Sequence, residues 1–200
     1  MKKIILFLIL FLLLSGCGIK KNISQPKNNM LANDKILMVI APKDFRDPEY
    51  NEPRKVFEEA GAEVKVASIQ GGVAIGAEGT EVNIGLTVGE VRVEDFDAVV
   101  FVGGPGMAQI IGDETLQILA SEFFAAWKIT SAICVAPAIL AQAGVLKGKK
   151  ATAWSGVQDV LENGGASFSP QPVVVDGKII TADGPAAARE FGEEIIEALQ

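Results

Sequence analysis

Cys134 stands in the stretch Thr130-Ser131-Ala132-Ile133-Cys134-Val135-Ala136-Pro137-Ala138. A β-branched, apolar run leads into it, and a proline suited to the first turn of a helix follows three residues later. Ala132 and Ala136 lie two before and two after the cysteine. A sharp strand-to-helix turn needs small residues there, because the backbone folds back on itself and larger side chains would collide. That pattern describes a nucleophile elbow, which lifts one side chain above the carboxyl edge of a sheet. The chemistry on offer is that of a thiol nucleophile. The plainer alternative is a buried, inert cysteine.

Two further loops fall where strands end. In Val102-Gly103-Gly104-Pro105-Gly106, Gln109 occupies the place of the third glycine of a dinucleotide fingerprint, and the loop follows a late strand. Glycines there let the backbone pass close to a bound group and aim N–H donors at it, as an oxyanion hole requires. Gly103, Gly104 and Val135 are the expected main-chain donors, and a tight turn without a ligand is the bland alternative. The other loop, Phe45-Arg46-Asp47-Pro48-Glu49-Tyr50, carries Glu49. On spacing alone Glu49 is an ordinary first-turn helix glutamate, favoured there by the helix dipole.

The chain has no histidine. That removes Ser-His and Cys-His catalysis, His-ligated zinc and the usual proton shuttle at neutral pH. No metal and no cofactor are expected. The formal charge is −7 and no basic stripe is evident, which argues against nucleic acid as a partner.

The N-terminus reads as an export signal: Lys2 and Lys3, then an apolar run over residues 4–14, too short for a membrane span of about 20 residues. It ends Leu14-Ser15-Gly16-Cys17, which resembles the lipobox of bacterial lipoproteins. That resemblance implies cleavage after residue 16, lipid on Cys17 and an extracytoplasmic protein anchored at the cell envelope. An ordinary signal peptide is the alternative. Residues 17–33 then form a polar tether, and residues 34–200 suffice for one domain. With Cys17 acylated, Cys134 is an unpaired thiol in an oxidising compartment.

Apolar runs predict buried strands at residues 35–41 and 98–102, and residues 63–68 and 150–154 read as further strands. A glycine-rich hairpin is expected over 71–86, and a second, built on Asp176-Gly177, over 173–180. Helices are expected at 54–60 (closed by Gly61), 113–127, 137–143, 157–163 and 185–199. Strands alternating with helices make a mostly parallel sheet covered on both faces, with ligand sites at the carboxyl ends of the strands.

The segments 132–137 and 143–152 resemble the ThiJ/PfpI family, which includes PfpI-type peptidases and the parkinsonism-associated deglycase. The likeness extends to residues 94–100 leading into Gly103-Gly104, and to Val174-Val175-Asp176-Gly177-Lys178 with the helix beyond. It implies a flavodoxin-like, three-layer α/β/α sandwich, also seen in class I glutamine amidotransferases, and a homo-oligomer. Cys134 falls on the family nucleophile and Glu49 on the glutamate that contacts the thiol. Gly104 falls on the loop whose amide faces the sulfur. A helix N-terminus after the elbow should help Cys134 to ionise. The chain departs from the pattern at three places. Val135 stands where the peptidase branch has histidine, Ala136 replaces a glycine, and Trp154 stands where the branches carry histidine or tyrosine. Proteolysis by a Cys-His dyad is therefore disfavoured, and Trp154 with Val135 should form an apolar pocket wall. The reading that follows is thiol chemistry on small reactive carbonyls, of glyoxalase or deglycase type. The alternatives are a redox-sensing or protective protein responding to oxidants, and a family member without catalysis.

Overall fold

The computed structural model describes residues 31–200. The expected signal peptide, Cys17 and most of the tether lie outside the described residues. The tether's last part, residues 31–33, is a turn in which Leu31 is buried and its N–H donates to the Ala60 carbonyl at 3.1 Å. This turn packs against the domain, because one leucine in a polar stretch finds a place in the core.

In chain order the elements are β1 (Lys35–Val39), β2 (Lys43–Phe45), α1 (Asp47–Ala60), β3 (Glu63–Ser68), β4 (Gly72–Gly76), β5 (Glu81–Ile84) and β6 (Leu86–Thr87). There follow β7 (Ala98–Phe101), α2 (Pro105–Ala108), α3 (Glu114–Ala125), β8 (Ile129–Ile133), α4 (Pro137–Gln142) and β9 (Lys150–Ala151). The last are α5 (Gln158–Asn163), β10 (Ser167–Phe168), β11 (Val173–Asp176), β12 (Ile179–Ala182) and α6 (Ala188–Leu199).

Seven strands form the central sheet in the order β11-β12-β8-β7-β1-β3-β6, and only β11 runs antiparallel to its neighbour. The chain steps one way from β1 through α1 to β3 and the other way from β7 through α3 to β8. Because such crossovers share one hand, the two helices fall on opposite faces. α6 packs with α1, and α4 and α5 join α3, giving the expected three layers. Strands β7 and β8 are buried throughout; β7 reads accordingly as an unbroken apolar run, whereas β8 carries Thr130 and Ser131, whose hydroxyls are satisfied by main-chain carbonyls. The strand order reverses between β1 and β7, and a crevice opens at such a switch point beyond the carboxyl ends.

Local chemistry explains the differences from expectation. α1 starts at Asp47, seven residues before the expected start, with Pro48 in its first turn and Pro53 inside it. Proline fits a first turn without cost, whereas Pro53 removes one intrahelical hydrogen bond. Glu49 is thereby fixed on a helix and faces inward. The expected strand over 150–154 pairs only at Lys150 and Ala151, with β10. Beyond it the Thr152 N–H donates to Thr181 Oγ1 and the Trp154 N–H to the Cys134 carbonyl, each at 2.9 Å. Among the described residues no helix is long and apolar enough to cross a membrane.

Candidate active site

Cys134 follows β8 directly and adopts φ 65°, the left-handed region that a residue with a Cβ occupies at a cost of about 1–2 kcal/mol. Both of its main-chain groups are tied. Its N–H donates to the Ala182 carbonyl on β12, and its carbonyl accepts from Trp154, each at 2.9 Å. These bonds hold the elbow and point a half-buried thiol into the crevice.

Glu49 reaches the sulfur from the first turn of α1, and its side chain is wholly buried. Gly103, just beyond β7, is the residue around which the pair meets. A Cβ there would come 2.6 Å from Glu49 Oε2 and 2.7 Å from Cys134 Cβ, so no side chain fits between them. Neither Glu49 oxygen has a hydrogen bond of ordinary geometry, although the thiol and the Gly103 amide both face the carboxyl. Burial pushes the Glu49 carboxyl up to about 7, against the opposing pull of the thiol, the Arg46 charge and the Gly103 amide.

The sulfur's main-chain donors are Gly104 and Val135. Gly103 is not one of them as expected: its amide faces Glu49, and its carbonyl accepts from the Arg46 N–H at 3.0 Å. The cause is the turn at Gly104, whose φ of 114° reverses the direction of successive amides. A second correction concerns ionisation. The thiol is pushed up to about 12, first by burial and then by the charge and hydrogen bond of Glu49, and the amides of Val135 and Gly104 only partly offset this. The six-residue α4 begins three residues beyond the sulfur and does not reverse the balance. Thiol and carboxyl therefore titrate as a pair that passes from two protons to one near neutrality.

The pair opens into a cavity of about 520 Å³, walled by Arg46, Pro105, Val135, Trp154 and Pro185. Trp154 and Val135 contribute apolar wall as expected. A larger groove of about 1160 Å³ runs past α1, β3 and β5, but its lining includes Lys35, Arg54 and Glu58 and no thiol. The smaller cavity is the one with chemistry. Among the described residues no cluster of three or more Cys, Asp and Glu side chains is arranged to hold a metal ion.

Two functional supports were not read from the sequence. Asp47 is buried beside Gly76 and accepts from the Glu78 and Thr80 amides at 2.8 and 2.7 Å, which fastens the β4–β5 hairpin to the start of α1. Arg46 pairs with Glu78 at 3.7 Å above that clamp and lines the cavity. The Asp-Pro that opens α1 was the only local hint of either.

The DJ-1/PfpI family model matches residues 34–198. The chain is 42% identical over 203 residues to an uncharacterized protein of Methanocaldococcus jannaschii, an alignment covering 100% of this chain and 98% of that one. It is 33% identical over 164 residues to deglycase PfpI of Pyrococcus furiosus, covering 82% of this chain and 99% of the relative. A ThiJ/PfpI domain protein from Brachyspira murdochii superposes with a TM-score of 0.81 at 38% identity, over 82% of this chain and 95% of that one. DJ-1beta of Drosophila melanogaster gives 0.74 at 28% identity, over 83% and 90%. The sandwich, the elbow and these likenesses agree, and the chain belongs to the DJ-1/PfpI family.

Proposed function

We propose that the protein is a thiol-dependent enzyme of glyoxalase or deglycase type, acting on small reactive carbonyls at the cell envelope, where lipid on Cys17 would hold it. The observation that carries the activity is the contact of Cys134 and Glu49 around Gly103, inside a cavity open to small molecules. Relatives named as deglycases support it. The lipobox-like residues 14–17 support the location. Assembly as a homo-oligomer belongs to the same reading and is checked by sedimentation of the full chain.

With no histidine in the chain, Glu49 is the group beside the sulfur that can move protons. A carboxyl near 7 is half ionised at neutral pH and can accept the thiol proton as the sulfur bonds to an aldehyde carbon. Charge then moves from sulfur to the former carbonyl oxygen, within reach of the Gly104 and Val135 amides. Glu49 returns that proton to the oxygen and is a base again; with a 2-oxoaldehyde it next carries a proton from the first carbon to the second. The first carbon is oxidised to a thioester, the second is reduced to an alcohol, and no outside oxidant is needed. Water releases the hydroxy acid and restores the thiol. Lactate formed from methylglyoxal by the protein and by Cys134→Ala tests the proposal; equal rates would end it.

The buried, near-neutral carboxyl also favours a second reading as a peroxide-responsive protein, since a protonated Glu49 can donate to a sulfinate oxygen. Mild peroxide would then add two oxygens to Cys134, seen by intact mass, and Glu49→Leu would weaken the effect.

A further inference from the structure

The cavity is much larger than a three-carbon aldehyde requires, and falls in the range of roughly 300–1,000 Å³ that encloses whole small ligands. The indole of Trp154 forms one side of it, and two observations show that this ring is seated. Its residue is anchored by the N–H donated to the Cys134 carbonyl at 2.9 Å, so the ring springs from a point fixed to the nucleophile. The ring then folds back over residue 156, where a Cβ would lie 2.2 Å from Cζ3 and 2.3 Å from Cη2. Gly156 does not lie in the left-handed region, so its backbone does not call for glycine. The indole does. Yet Trp154 stays 53% exposed, which leaves aromatic surface uncovered on a residue that lines the same cavity as Cys134. Pro105, Val135 and Pro185 continue the apolar lining.

We infer that Trp154, seated on Gly156, determines specificity by selecting 2-oxoaldehydes with a flat aromatic substituent over the three-carbon aldehyde. The inference rests on the proposed carbonyl chemistry and names its substrate class. Cys134 bonds to the aldehyde carbon while the aryl group lies against the indole, where a ring-on-ring contact is worth up to about tenfold.

The test is the ratio of initial-rate kcat/KM values for phenylglyoxal and methylglyoxal, measured on the full chain. The ratio should be about ten or more, fall about tenfold in Trp154→Ala and survive in Trp154→Phe. Gly156→Val, which keeps the tryptophan but evicts its ring, should mimic Trp154→Ala. A ratio near one in the unaltered protein, or one that Trp154→Ala leaves unchanged, overturns the inference. A second readout needs no turnover. The chain has two tryptophans, so Trp127→Phe leaves Trp154 as the sole indole. Acetophenone, an aryl ketone with no aldehyde, should quench that fluorescence saturably in Cys134→Ala,Trp127→Phe protein. If neither aldehyde is consumed, the activity proposal falls and this titration alone decides: saturable quenching upholds the aryl seat, and its absence overturns it.

Discussion

Glu49→Gln should remove a pH-dependent weakness from the folded state. The carboxyl is wholly buried and moves from 4.5 to about 7 on folding, with burial as the leading cause. The folded protein therefore holds this proton more tightly than the unfolded chain. Below pH 4.5 both states are protonated and folding bears no penalty. Between 4.5 and 7 the unfolded chain ionises while the folded one does not, so stability falls as pH rises. Above 7 the loss levels off at about 3 kcal/mol. Glutamine has nearly the same shape and no charge, so the variant escapes this loss. Urea unfolding at pH 4, 6 and 8 provides the assay. The variant's midpoint should gain on the unaltered protein by about 1–2 M between pH 4 and 8, taking a slope of about 2 kcal/mol per molar. Any fixed cost of burying the amide shifts all three points alike and leaves the trend intact. Parallel pH dependence for the two proteins would refute the assignment of a strongly raised carboxyl.

Two other substitutions probe what holds the pair. Gly103→Ala puts a methyl 2.6 Å from Glu49 Oε2 and should cost about 1–3 kcal/mol in a urea melt while slowing Cys134 alkylation. Asp47→Asn weakens the clamp on the Glu78 and Thr80 amides and should cost about 1.5–3 kcal/mol at neutral pH, with faster hydrogen exchange at those two amides. The hydrogen bonds that it accepts hold the Asp47 carboxyl below its usual range, so its contribution is present above the unfolded value and disappears as pH falls through the folded one.

The sheet and the elbow were legible because their causes are local. Doubly buried strands must be continuously apolar, as in residues 98–101, and a strand-to-helix turn must be flanked by small residues, as Ala132 and Ala136 show. The first half of α1 was hidden because Pro48 and Pro53 look like breakers, although only Pro53 costs a hydrogen bond. Glu49 could be singled out by family likeness but not by spacing, since its partner lies 85 positions away in the chain (134 − 49). Which glycine serves which acceptor depends on a single positive φ at Gly104, and residue types do not report amide directions. The upward shift of the thiol was hidden because burial causes it. A cysteine near a helix start invites the expectation of easy ionisation, and only the packing shows how far thiol and carboxyl are buried together.

The central claim is that Glu49 serves as the proton acceptor for Cys134 in a site without histidine, and the pH profile of Cys134 alkylation by iodoacetamide tests it most directly. The unaltered protein should show a titration near pH 7 that is absent from Glu49→Gln. Identical curves for the two proteins, each rising only through the alkaline range of an isolated thiol, would contradict it.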